Sequence, residues 1–152
     1  VTKDFIAYAL SDAGKAVIEE NKYISVSDVK YTSTKPTGKI TISGSSSVTP
    51  VMEKLKEAYQ VVNPGATIEI QQSDSTTGMN AVIDGIADIG MASRDVKDSE
   101  KSSGLEVTTI AMDGIAVIVN KENQVSKISS EDVKAIFTGE KKSWEEVKWS
   151  KC

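Results

Sequence analysis

The chain has 152 residues, 39% hydrophobic and 26% charged, with a formal net charge of -4. That suffices for one globular domain with an ordinary core, and the interspersed Lys and Glu residues leave no basic footprint for nucleic acid. With no histidine and a single cysteine, Cys152, the composition excludes Ser/His and Cys/His nucleophile pairs, His- or Cys-built metal sites and an intrachain disulfide. No stretch approaches the roughly 18 apolar residues of a membrane span, and Val1 to Leu10 lacks the charged and apolar halves of a signal peptide. The chain reads as soluble and already processed, needing no cofactor, with Cys152 a solvent-exposed terminal handle.

Asp4 to Asn21 places Ile6, Leu10, Ala13 and Val17 at spacings of four, three and four, which predicts one helix with these residues on its core face. Ser25 to Lys39, with Pro36 and Gly38, breaks the periodicity and reads as a loop or linker. From Lys39 onward short strands alternate with helices, the pattern of a three-layer α/β domain with a mostly parallel sheet. The first strand is expected over Lys39 to Ser43, followed by the turn GSSSVT and a helix opened by Pro50, with Val51, Leu55, Ala58, Tyr59 and Val62 facing the core.

The sequence NPG, residues 63–65, stops that helix, and Thr67 to Gln72 alternates as a strand. The turn Ser73 to Gly78 leads into a helix through Met79 and Ala81 to Ile86, then a third strand over Ala87 to Met91 and the polar turn Ala92 to Asp95. Val107 to Met112 and the β-branched run Ile115 to Val119 are two further strands, the second fit for the sheet centre. Ser129 and Asp132 cap a helix over Val133, Ile136 and Phe137 that Gly139 stops. Met52, Met79, Met91 and Met112 are expected in the core. Trp144 and Trp149 are expected on the last helix, and the Lys and Glu residues between Asp95 and Lys101 on a solvated face.

Three strand ends, at Ser43, Gln72 and Met91, each run into a small, hydroxyl-rich turn. In an open parallel sheet such turns share the edge beyond the strands' carboxyl ends, where these folds bind ligands. Ser45, Ser46 and Ser47, then Ser75, Thr76 and Thr77, then Ser93 and Arg94 supply hydroxyls, a guanidinium and orphan helix amides, a chemistry suited to an anion. Ser and Thr cap helices without any ligand, so each turn alone says little and the three together carry the inference. A Walker-type loop is excluded because Gly44 to Pro50 lacks its Gly-Lys-Ser/Thr end.

The segments TISGSSSVTPVMEKL, SDSTTGMNAVIDGIADIGMASRDV, GIAVIVNKEN and VKAIFTGEKKSWEEV resemble, in order, the N-terminal lobe of the phosphate-binding protein of the phosphate ABC transporter. KDFIAYALSDAGKAVIEENKYISV resembles that family's C-terminal tail, here placed first. The resemblance implies one lobe of a type II periplasmic-binding-protein-like fold, circularly permuted and engineered. It divides the chain into a tail-equivalent helix, 1–26, a linker, 27–38, phosphate-binding lobe I, 39–148, and a terminal stretch, 149–152, in one globular domain.

It further implies Ser46 as a hydroxyl donor, Ser47 as an amide donor and Ser75 as a second hydroxyl donor to phosphate, with Ser45, Thr76, Ser93 and Arg94 beside them. Better-known members carry an aspartate where this chain has Arg94, which trades a proton acceptor for a cation and leaves Asp74 or Asp95 as substitute acceptors. The bland reading of Arg94 is an ion pair with Asp95 or Asp98. The family implies an extracytoplasmic parent protein, lipid-anchored, that delivers phosphate to a membrane ABC permease. A second lobe supplying the rest of the site has no counterpart here, which predicts weakened binding and an exposed cleft face on which two copies could pair.

Two other classes compete with a binding module. A phosphatase using Ser46 as nucleophile lacks any histidine or metal cluster to activate it, so an enzyme is not expected. A folding or assembly scaffold of flavodoxin-like topology, without ligand activity, is the remaining alternative.

Overall fold

The structure, a computed structural model, describes residues 1–147. The expectations placed on Trp149 and Cys152 lie outside the described residues. The chain forms two compact units, Val1–Gly114 and Ile115–Cys152, where length and composition pointed to one domain.

In the first unit the N-terminal segment is two helices, α1 (Thr2–Ala9) and α2 (Asp12–Glu20), instead of one. Ser11 is the reason. Its buried hydroxyl donates to the Tyr8 carbonyl at 2.6 Å and accepts from the Gly14 amide at 3.2 Å, closing one helix and capping the next. Gly14 permits the sharp corner, since a Cβ there would sit 2.3 Å from the Tyr8 carbonyl oxygen. The break rotates the buried face from the expected Ile6, Leu10, Ala13 and Val17 to Phe5, Tyr8, Ala9 and Ile18.

A short strand, β1 (Ile24–Ser25), precedes the linker, which lacks regular structure but is pinned along its length. The Asp12 amide donates to the Val29 carbonyl at 3.1 Å, and the Lys35 ammonium to the Val62 carbonyl at 2.9 Å. Then come β2 (Gly38–Ser45), α3 (Thr49–Val62), β3 (Ala66–Ser73), α4 (Ser75–Ile83), β4 (Ile89–Met91), α5 (Asp98–Lys101) and β5 (Ala111–Met112). β2 lies between β3 and β4 in a fully parallel sheet of order β3-β2-β4, with Ser45 beside Ser73 and Gly44 beside Met91. The three predicted strands therefore exist, share one direction and end together. β5 does not join them. It pairs antiparallel with β1, so only two residues of the predicted strand Val107 to Met112 are strand, and Met112 is 59% exposed, unlike Met52, Met79 and Met91.

One core cluster joins α1, α2, α3 and the sheet through Phe5, Tyr8, Ile18, Ile40, Ile42, Val51, Met52, Leu55, Tyr59 and Ile68. Tyr59 stands edge-on to Phe5 and Tyr8, with ring centroids 5.1 and 5.4 Å away, arrangements worth about 0.5–1.5 kcal/mol each beyond buried area. Asp4 ties α1, linker and α3 together: it accepts from the hydroxyls of Tyr31 at 2.6 Å, Tyr59 at 2.9 Å and Thr34 at 2.7 Å. Asn63 donates to the Tyr31 oxygen at 2.9 Å and accepts from Ser33. Burial alone would raise the Asp4 pKa, but the hydrogen bonds from Tyr31, Thr34 and Tyr59 outweigh it and hold it below its usual value.

The second unit carries the helix α6 (Ser130–Phe137), capped as expected by the Ser129 hydroxyl on the Asp132 amide at 3.0 Å and followed by Gly139 at φ +77°. The predicted central strand does not form. Ile115 and Ile118 are 95% and 89% exposed, and no described strand pairs with 115–119. An open groove of about 330 Å³ is lined by Val117, Val119, Ile128, Val133, Ile136 and Trp144, and α6 has no buried residue. The strand pattern is present, but a β-branched run becomes a strand only against a neighbour that accepts its backbone hydrogen bonds.

Two outcomes follow for the first unit. A folded-state pKa below the unfolded one stabilises above the unfolded value, and that contribution disappears as pH falls through the folded value. Urea unfolding at about pH 6 and about pH 3 is therefore expected to show an acid loss of stability that shrinks in Asp4→Asn. Tyr59→Phe, which removes one donor from Asp4, is expected to cost about 1–3 kcal/mol in the same assay.

Candidate functional site: the serine rim

β2, β3 and β4 deliver three turns to one edge of the sheet, and two glycines set how closely they approach. Gly44, at φ +137°, has its Cα so near β4 that a Cβ would lie 2.3 Å from the Met91 carbonyl oxygen. Gly78, in the first turns of α4, would place a Cβ 2.5 Å from the Gly44 Cα and 2.6 Å from the Ser43 carbonyl oxygen. Backbone contact without side chains thus draws β2, β4 and the start of α4 together.

The hydroxyls of Ser45, Ser75 and Ser93 meet at this point. Ser45 is buried and donates to the Ser93 Oγ at 2.9 Å. The Ser75 Oγ lies 3.5 Å from the Ser93 Oγ and accepts the Ser93 amide N–H at 3.2 Å. Ser93 is the hub, and the three turns that the sequence pointed to share one rim. Ser46 and Ser47 are exposed instead. The Ser46 amide continues the sheet by donating to the Ser73 carbonyl at 3.0 Å, and the Ser47 carbonyl accepts from the Tyr23 hydroxyl at 3.0 Å. At the first turn it is therefore Ser45 whose hydroxyl joins the other two.

The two helix starts at the rim differ electrostatically. No side chain caps α3, so its first-turn amides keep the partial positive charge of a helix N-terminus. α4 is capped by Asp74, whose Oδ1 accepts from the Thr76 and Thr77 amides at 2.8 and 3.0 Å and whose Oδ2 accepts from the Thr77 hydroxyl at 2.6 Å. The Thr77 hydroxyl and these amides hold the Asp74 carboxyl below its usual pKa. Of the two substitute acceptors expected from the sequence, Asp74 is an ionised helix cap, and Asp95 enters the rim through its backbone carbonyl.

Arg94 reaches Thr76 but pairs with neither Asp95 nor Asp98. Its Nη1 and Nη2 grip the Glu100 carboxylate at 2.9 and 2.7 Å, and Nη2 also donates to the Thr76 Oγ1 at 3.2 Å. Asp98 faces Lys101 at 3.5 Å. Glu100 is 6% exposed, which corrects its placement on a solvated face. It also accepts the Lys97 amide at 2.8 Å, and the Arg94 guanidinium, helped by that amide, brings its pKa down to about 2. The missed signal was local: Glu100 stands three residues after Lys97, the position from which a carboxylate reaches back to the residue preceding a helix.

The pattern that defines the PBP superfamily domain matches residues 29–151. A protein of Streptococcus agalactiae named phosphate-binding protein PstS 2 is 56% identical over 147 residues, covering 96% of this chain and 50% of that protein. A crystal structure of a phosphate ABC transporter phosphate-binding protein from Streptococcus pneumoniae superposes with a TM-score of 0.86 at 40% identity, covering 96% of this chain and 57% of the other. A Clostridium perfringens structure described as a phosphate ABC transporter substrate-binding protein with bound phosphate gives a TM-score of 0.58 at 44% identity, covering 72% and 45%. The chain spans about half the length of the curated relatives it matches. On the match over 29–151, most of its length, the chain belongs to the PBP superfamily domain family.

Proposed function

We propose that the chain is an oxyanion-binding lobe, with inorganic phosphate as its ligand, of a substrate-binding protein that serves an ABC transporter. The observation that carries this reading is the meeting of three hydroxyls at Ser93, whose Oγ lies 2.9 Å from that of Ser45 and 3.5 Å from that of Ser75, beside the uncapped start of α3. Hydroxyls and helix amides are donors without formal charge, and gathered at the carboxyl edge of a parallel sheet they suit a small anion. The relatives named for phosphate support phosphate as that anion.

In this reading 1–26 is the equivalent of the family's tail, joined through 27–38 to lobe I. The Asp4 network that fixes α1 against the linker and α3 supports it. The remaining half of the longer relatives would supply the second lobe and the other face of the ligand. Support comes from the exposed apolar groove of the 115–152 unit, a surface of the kind that further polypeptide covers. The parent protein would act outside the cytoplasm, lipid-anchored, and deliver phosphate to a membrane permease. No helix among the described residues is long and apolar enough to cross a membrane. Catalysis is not part of the reading: the three hydroxyls bond to one another and to the Ser93 amide, and the chain has no histidine to serve as their base.

Half a site leaves the ion half solvated, so the expected phosphate affinity is on the order of millimolar, about -4 kcal/mol. In an amide NMR titration with inorganic phosphate, shifts are expected at 45–48, 75–78 and 93–94. Shifts elsewhere, or none, would remove the phosphate assignment, and micromolar affinity would contradict the half-site. Ser93→Ala, which removes the hub hydroxyl, is expected to weaken binding about two- to tenfold. Pairing of two copies through the cleft face is tested by light scattering, where a mass of 16.3 kDa would dismiss it.

A further inference from the structure

Arg94 stands at the rim with its fork already filled. A guanidinium offers five N–H donors, and four of those interactions here end on protein oxygens: both Glu100 carboxylate oxygens, the Asp95 carbonyl and the Thr76 hydroxyl. The end-on, bidentate grip on Glu100 through Nη1 and Nη2, at 2.9 and 2.7 Å, is a geometry in which arginine also holds external oxyanions. Glu100 is itself buried and anchored by the Lys97 amide, so its side chain is held in place by more than the ion pair.

We propose that Glu100 is a specificity-determining residue that acts through Arg94: it occupies from inside the protein the coordination an external oxyanion would take, so that the rim meets its ligand with hydroxyls and helix amides instead of a free cation. The inference rests on the anion-binding reading above and concerns what that site rejects. In this corner two carboxylates, Asp74 and Glu100, stand against one guanidinium, so formal charge gives an anion no reward. Asp74 is an exposed carboxylate, held ionised by its hydrogen bonds from Thr76 and Thr77, and so offers acceptors and no donor. Hydrogen phosphate carries an O–H that can donate to such an acceptor, whereas sulfate has none at neutral pH. A released Arg94 would attract both ions by charge alone and erode the distinction between them.

The test uses the chain as it stands, with inorganic phosphate and sulfate as separate probes. Glu100→Gln is expected to raise sulfate affinity on the order of tenfold and phosphate affinity less, lowering the phosphate-to-sulfate ratio. Glu100→Asp, which keeps the charge, is expected to restore much of the ratio, and the gain is expected to vanish in Arg94→Gln/Glu100→Gln. A measurement on the unsubstituted protein guards against a variant that fails to fold: the Arg94 side-chain N–H resonance should stay in place while phosphate shifts the amides of 45–48. If those amides do not respond to phosphate, the anion site itself is refuted and Glu100's role falls with it. If they respond and the Arg94 resonance moves with them, or if Glu100→Gln leaves the ratio unchanged, the site survives and only the role of Glu100 is overturned.

Discussion

Gly44 and Gly78 touch backbone to backbone, and the distance they set is the one on which the rim depends. With a Cβ on either residue, the start of α4 and the end of β4 would have to move away from β2. The 2.9 and 3.5 Å separations that make one cluster of Ser45, Ser75 and Ser93 would open with them. Hydrogen bonds of this kind lose their value over a few tenths of an ångström, so a backbone contact some distance from the hydroxyls governs their chemistry. Gly90 extends the same contact, since a Cβ there would meet Met79 at 2.5 Å.

Around that contact the rim balances its charges internally. Asp74 spends its carboxylate on α4, Glu100 spends its own on Arg94, and only α3 is left with an uncapped amide end. Both carboxyls are held below their ordinary pKa values by donors the protein provides, so they remain anions wherever the protein is folded near neutrality. In the proposed anion-binding reading, a rim assembled this way would select by direction and number of hydrogen bonds more than by net attraction.

The two units stand in different states of completion. In the first, an aromatic cluster around Tyr59 and a polar network around Asp4 bind N-terminal helices, linker and α3 into a closed core, and no buried side-chain polar atom among the described residues lacks a partner. In the second, a capped helix and a β-branched run enclose an open apolar groove. Local signals such as the Ser129 cap mark where α6 begins, whereas a helix of 8 residues draws most of its stability from burying an apolar side, which requires surface from elsewhere.

Sequence alone was enough for the features that depend on neighbours along the chain. The alternation of Ile40, Ile42, Ile68 and Ile70 with polar residues, Pro50 at the start of α3, Asn63 to Gly65 at its end and the Ser129 cap all appear where periodicity and capping chemistry put them. The three serine turns could be placed on one edge for the same reason, because parallel strands end together. What needed the tertiary structure was everything decided by a contact across the chain. The break at Ser11 turned on a hydroxyl bonded to Tyr8 and on a glycine fitted against a carbonyl. Which first-turn hydroxyl bonds to Ser93, that of Ser45, was decided in space, and the fate of Arg94 turned on a glutamate six residues away buried beside it. The run 115–119 has the composition of a central strand, yet a strand is completed only by hydrogen bonds to a neighbour, and that neighbour is not encoded within the run itself.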